Sequence, residues 1–455
     1  METIQRIQKK FFRGVAWNTV EALVFHAAII IHQLVVFKLT TPKFYGQFGT
    51  LFALSYMIES LLDFGYLSSI GPLFTWLSSC KQNFKSWCRY VLFPQLALFI
   101  LIPTIFFLYH KPIFLNFKHI SIVQIFIQHK YMLVIFLAAI AFDGARKTLN
   151  GLMQVAFLNK QAACAEIVAI AVYLSLVWGQ YFAGIPLSLY STFGSLVIST
   201  GISVIIMSRW VAKWHKGLPE EKALETKIPL KSIFKNRIFN YSHELSTQFF
   251  SHGFLVPFFA VHIGMEQAGV FQIISSTEQY IRSIIKRMFG LTSNALLAHI
   301  KQATLSCKQK MFYLASSRLF PILYTIFIFM VINITRLIPA SGISVSWGTI
   351  YFFFIFAFLH NFFVVYERFY IIEEKVQLLF YANSIALSIF AIIIYLFGGK
   401  HLLFAYASLA IIRVFYYAAM IYVSYKIWNI KASWTIRLRN FLIILFASIL
   451  VFFSV

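Results

Sequence analysis

One apolar stretch carries Ser55, Glu59 and Asp63 at every fourth position. Residues four apart share a face of an α-helix and are separated by about 6 Å of rise. Glu59 and Asp63 therefore make an acidic ridge able to hold a proton, a sodium ion or a basic side chain. Glu21 stands in the apolar stretch before them. Moving forward 223 residues from this module reaches Glu244, Gly269, Glu278, Arg282 and Lys286, a ridge that ends basic where the first ends acidic. Acid from one half facing base from the other would form a gate between them. The alternative pairs Glu278 with Arg282 along their own helix and leaves Asp63 and Lys286 in interfacial water.

A second cluster, Asp143-Gly144-Ala145-Arg146-Lys147, puts two adjacent cations near the middle of an apolar stretch. A cavity that accepts phosphate or another anionic group explains them through charge-assisted hydrogen bonds. Otherwise the span ends early and both side chains snorkel to the interface. Arg413, among Ile411, Ile412, Val414 and Phe415, is too deep for that, and Glu367 and Asp143 are its candidate counter-ions. Glu367-Arg368 reads as an interfacial ion pair. His26, His32, His252, His262 and His360 are proton carriers or, more commonly, packing residues.

The elements that position these groups are set by hydropathy. With 60% hydrophobic residues, 12% charged and a mean hydropathy of +0.77, the chain departs from soluble domains, where about a quarter of residues are charged. Crossing a bilayer takes about 20 apolar residues, and twelve such stretches fit, near 15–37, 47–69, 88–109, 131–153, 162–180, 187–209, 238–262, 267–289, 318–338, 347–369, 377–398 and 401–426. Residues 440–455 are a short thirteenth span or an interfacial helix. The acidic residues Glu21, Glu59, Asp63, Asp143, Glu166, Glu244, Glu278 and Glu367 fall within or at the ends of spans. Each costs on the order of 3 kcal/mol at a lipid-facing helix centre, so most are expected to face protein or a water-filled cavity.

The net charge of +24 fits membrane orientation better than nucleic-acid binding. Lys and Arg concentrate in the N-terminus and alternate loops, which places the N-terminus in the cytoplasm. The first span reads as retained, because no small-residue cleavage site follows it. Cys80, Cys88, Cys164 and Cys307 lack metal-ligand or disulfide spacing, and no cofactor is expected. Glycine-loop, HExxH and GxSxG motifs are missing, so the chain is not expected to be an enzyme.

The polar segment 211–237 divides the chain into lobes 1–210 and 238–430, with a hydrophobic tail at 431–455. A second polar segment, 291–317, fits an amphipathic helix on the inner leaflet. Glu21/Glu244, Gly46/Gly269, Phe48/Phe271 and Ile58/Ile281 coincide without gaps, and each module opens a six-span half in the same orientation. The expected fold is all-α and polytopic, with two six-helix lobes in parallel pseudo-repeat around a central cavity.

Phe12-Arg13-Gly14-Val15-Ala16-Trp17, Leu39-Thr40-Thr41-Pro42-Lys43-Phe44-Tyr45-Gly46-Gln47-Phe48-Gly49 and Leu62-Asp63-Phe64-Gly65-Tyr66 resemble the opening of bacterial polysaccharide-biosynthesis exporters. These are the O-antigen and lipid-linked-oligosaccharide flippases of the multidrug/oligosaccharidyl-lipid/polysaccharide superfamily. Asn150-Gly151-Leu152-Met153-Gln154 and Gln267-Ala268-Gly269-Val270-Phe271 carry fainter echoes. The resemblance implies a bacterial inner-membrane flippase that moves a polyprenyl-diphosphate-linked glycan to the outer leaflet by alternating access, beside other polysaccharide-assembly proteins. It makes Arg146, Lys147, Arg282, Lys286 and Arg413 the anion contacts. Glu21, Glu59, Asp63, Glu244 and Glu278 make the first-half surface more acidic than a simple anion cavity, which leaves them as gate residues or as sites for a coupling proton or sodium ion. A drug/cation antiporter of the same fold and a membrane glycan polymerase or ligase are the rival readings.

Overall fold

The computed structural model describes residues 2–66, 79–118, 120–129, 131–220, 230–262, 376–397 and 407–416, with scattered positions at 70, 77, 264–276 and 418–422. Glu278, Arg282, Lys286, Glu367 and the tail 440–455 lie outside the described residues. Every described element is a helix, and four are long and apolar enough to cross a membrane, or five if one bent pair is a single span.

Helix α1 (Glu2–Leu39) runs unbroken into the turn that starts α2 (Pro42–Asp63). Thr41 caps α2 by accepting a hydrogen bond from the Phe44 N–H at 3.2 Å, and Pro42 occupies the first turn, where no backbone donor is needed. The Thr-Thr-Pro signature is thus a helix start. At the other end Phe64 and Gly65 take left-handed conformations, with φ of 48° and 69°, and stop the helix.

Helix α3 (Lys81–Trp87) passes through a π-helical turn, Cys88–Leu92, into α4 (Phe93–Asn116). The exposed face of α4 is Ile100, Leu101, Ile105 and Leu108, an apolar surface that suits lipid contact. Helix α5 (Ser121–Gln128) is short and meets α6 (Met132–Val155) at 109°. Helices α7 (Asn159–Phe182) and α8 (Leu189–Lys216) follow, the latter opened by a reciprocal Ser188/Ser191 capping box.

Helix α6 packs against α8, α4 and α2, and α7 packs between α8 and α1. The polar residues of α6 are therefore surrounded by protein. In the second half, the expected seventh span is broken into α9 (Leu230–Gln248) and α10 (His252–His262). Helix α8 runs to Lys216 and α9 starts at Leu230, so helix enters the segment 211–237 from both ends. Helix α9 packs on α11 (Val376–Phe397), and residues 407–416 form α12.

Contact between the halves runs along α2. A Cβ on Gly46 would lie 1.9 Å from the Met265 carbonyl oxygen, and one on Gly65 would lie 2.7 Å from that of Arg237. Only glycine allows the second half this close at both ends of α2.

Candidate functional site

The site grows from the spacing on α6. Asp143, Arg146 and Lys147, at i, i+3 and i+4, share one face, and both cations reach back to Asp143: Arg146 Nε at 2.6 Å and Lys147 Nζ at 3.0 Å. Neighbouring helices supply the remaining carboxylates. Glu166 of α7 pairs with Arg146, and Glu59 of α2 pairs with Lys147. Asn150, one turn further along α6, donates to Glu166 Oε1 at 2.7 Å and is itself held by Gln154 at 2.8 Å. The ammonium of Lys147 also lies 4.6 Å from the centre of the Tyr56 ring. Arg146 and Lys147 are consequently paired by side chains from three helices. They are the centre of a five-charge network in which three carboxylates face two cations.

The network is closed but not inaccessible. The Glu166 side chain is 0% exposed, whereas that of Lys147 is 30% exposed. A cavity of about 160 Å³ lies against the cluster, with Phe25, Phe48, Phe52 and Tyr173 among its walls. That is close to the roughly 150 Å³ that accommodates a benzene in an engineered apolar cavity. It takes one small group or a few waters, so a larger substrate requires the helices to part. His32 lines the same cavity and pairs through Nε2 with the Tyr173 hydroxyl at 3.1 Å, in edge contact with Trp178. This packing fits the commoner structural role of a buried histidine.

Other expected site residues fall elsewhere. Glu21 is buried on α1 but is not among the cavity walls. Asp63 closes α2 directly before Phe64, whose carbonyl is met by Arg237 from the edge of the expected linker. Arg237 donates from Nε to the Phe64 carbonyl at 3.2 Å and from Nη2 to Gln95 at 2.9 Å, while Gln95 donates to the Leu62 carbonyl at 2.7 Å. Arg237 thus satisfies the Phe64 carbonyl, and through Gln95 supports the Leu62 carbonyl, at the C-terminus of α2, where the helix dipole favours positive charge. The suggested meeting of Glu59 and Asp63 with Arg282 and Lys286 falls outside the described residues. Among the described residues Lys147 pairs with Glu59, and Arg237 reaches the end of α2 next to Asp63.

Glu244 is partly buried on α9, and its carbonyl accepts from Thr247. Arg413 is fully buried on α12, but its partner is Asn383 of α11, at 3.2 Å, instead of Asp143. Asp143 is held within the first-half network. Asn383 continues to His243 of α9 at 3.2 Å. Glu166, Gln95, Asn383 and His243 were not singled out as site residues, because their roles come from neighbours on other helices.

No protein-family model and no curated protein sequence matches the chain. Solved structures do. An outward-facing multidrug resistance MATE family transporter of the MOP superfamily superposes with a TM-score of 0.68 at 12% identity, over 94% of this chain and 98% of its own. An inward-facing structure of such a transporter gives 0.65 at 12% identity, over 90% and 94%. The MATE multidrug transporter DinF-BH in complex with R6G gives 0.63 at 12% identity, over 93% and 96%. The chain has the all-helical membrane fold of MATE transporters of the MOP superfamily.

Proposed function

We propose that this protein is an alternating-access exporter of a polyprenyl-diphosphate-linked oligosaccharide, working in a bacterial inner membrane with its N-terminus in the cytoplasm. The observation that carries this reading is the pair of a buried Arg146 and a partly exposed Lys147 on one helix beside a cavity. A pocket for cationic drugs needs carboxylates and aromatic faces, and two cations would oppose it. A diphosphate gives both cations a purpose. Lys147, the more accessible of the two, exchanges Glu59 for a phosphate oxygen, and Glu59, left unpaired in a buried position, takes a proton or sodium ion. Substrate and coupling ion would then be linked through one lysine.

Lobes 1–210 and 238–430 are the moving bodies in this proposal, with the lipid tail left in the bilayer. Other polysaccharide-assembly proteins would supply and use the substrate. The three-to-two excess of carboxylates and the aromatic walls favour a second reading, an ion-coupled multidrug antiporter of the same fold. Purified protein in vesicles separates them. Protein-dependent movement of a labelled lipid-linked oligosaccharide between leaflets supports the exporter. Failure to move several such lipids, with proton-driven uptake of a cationic dye, supports the antiporter.

A further inference from the structure

The fully buried guanidinium of Arg413 is only partly satisfied. Nη1 donates to Asn383 Oδ1 at 3.2 Å. The guanidinium also lies 4.2 Å from the centre of the Phe250 ring and 5.2 Å from that of Tyr416. Among the described residues neither Nε nor Nη2 has a hydrogen-bond partner, and no carboxylate is paired with Arg413.

These two nitrogens are not scattered donors. Nε–H and the adjacent Nη2–H form one edge of the planar guanidinium, the parallel fork that fits two oxygens of a carboxylate or phosphate. The opposite side is anchored. Asn383 accepts from Nη1 and approaches His243 Nδ1 through its amide nitrogen at 3.2 Å, which fixes the amide orientation and calls for an unprotonated Nδ1.

A second feature converges here. Phe250 lies in the break between α9 and α10, where the Phe250 and Ser251 amides turn back to the Thr247 and Gln248 carbonyls. Pro257 inside α10 lacks the donor that would meet the Gly253 carbonyl. A break between two helices leaves backbone groups without the continuous ladder of a single helix, so polar groups gather at it. A buried cation with an open fork beside such a break calls for an anionic occupant.

We propose that the Nε/Nη2 edge of Arg413 is an oxyanion-binding site in the second half of the protein, distinct from the Arg146/Lys147 network, and that it takes a phosphate or diphosphate group. Arg413 has no exposure in this state, so the occupant enters when α10 or the surrounding helices shift. The phosphate comes from a lipid headgroup or from a soluble ion. The site rests on the geometry of Arg413 and stands whether or not the protein exports a glycan lipid.

Calorimetric titration of the purified full-length protein in detergent with inorganic pyrophosphate, and separately with undecaprenyl diphosphate, tests it. Losing a charge-assisted fork weakens binding by about 10- to 100-fold, and Arg413→Gln is expected to show that loss. Arg413→Lys keeps the charge without the fork and falls between wild type and Arg413→Gln. Asn383→Leu, which keeps the arginine but releases its anchor, also weakens binding and serves if the Arg413 variants misfold. Arg413-dependent binding of pyrophosphate alone identifies a soluble oxyanion site, and Arg413-dependent binding of only the lipid identifies a headgroup site. The proposal is overturned if wild type binds neither probe, if all three variants bind as wild type does, or if only Lys147→Gln abolishes binding.

Discussion

The two halves handle buried positive charge in opposite ways. In the first, Arg146 and Lys147 are enclosed by Glu59, Asp143 and Glu166, with carboxylates in excess. In the second, Arg413 has a neutral amide and two aromatic rings, and one donor edge is open among the described residues. The first arrangement is stable by itself and must be disturbed to bind an anion. The second carries a standing cost that an anion relieves. Removing a cation should therefore have opposite consequences at the two places.

The largest effect is expected at Arg146. Arg146→Met strips the fully buried Glu166 of its cation and leaves Asp143 with Lys147, and stranding a buried charge in this way costs about 3–5 kcal/mol. Chemical or thermal unfolding in detergent checks this. Adding Glu166→Gln recovers part of the loss, because the second change removes the stranded charge. A stability near wild type for the single variant breaks the contrast.

Arg413→Leu goes the other way. Replacing an incompletely satisfied buried charge with an apolar group of similar volume is neutral, or stabilising by about 1–4 kcal/mol. The same unfolding measurement reads it in the absence of phosphate. A loss as large as that of Arg146→Met would mean that the open edge is not open.

Lys147→Gln lies between them. Its side chain is partly exposed and shared among Glu59, Asp143 and the Tyr56 ring, so about 1.5–3 kcal/mol is expected for the lost charged hydrogen bonds. Glu59→Gln in the same background restores part of it. Additivity of the two changes would show that the pair is not coupled.

The smallest effect belongs to the surface pair Lys81–Glu220, at 2.7 Å. The hydrogen bond and charge of Lys81 hold the Glu220 carboxyl below its ordinary pKa. The sign follows: the pair contributes above the unfolded carboxyl pKa and is lost as pH falls through the lower folded value. Glu220 is fully exposed, so Lys81→Met leaves the melting curve unchanged at neutral and acidic pH alike.

Among the described residues hydropathy made four or five of the expected spans legible, and helical spacing made three of the five charges of the first cluster legible. Asp143, Arg146 and Lys147 lie on one turn-and-a-bit of one helix, so their association follows from i, i+3 and i+4 geometry. Glu59 and Glu166 arrive from α2 and α7, and no local pattern encodes that meeting. Asp143 suggested itself for Arg413 only because the packing of α11 against α9 was invisible in the sequence. The break at Phe249-Phe250-Ser251 falls inside a stretch read as one span, although Gly253 and Pro257 mark the place. Arg237 was lost for the converse reason. Its segment is polar enough to read as a linker, yet α9 begins at Leu230 and brings Arg237 to the end of α2.

The contrast between the halves matters only if the first-half cations handle the transported group. The most direct measurement is the rate at which a labelled polyprenyl-diphosphate oligosaccharide changes leaflets in vesicles containing wild-type, Lys147→Arg or Lys147→Gln protein, each shown to be folded. The account predicts that wild type moves the lipid, that arginine retains much of the rate, and that glutamine lowers it by about tenfold or more, the equivalent of one charged hydrogen bond. Equal rates for wild type and Lys147→Gln would contradict it.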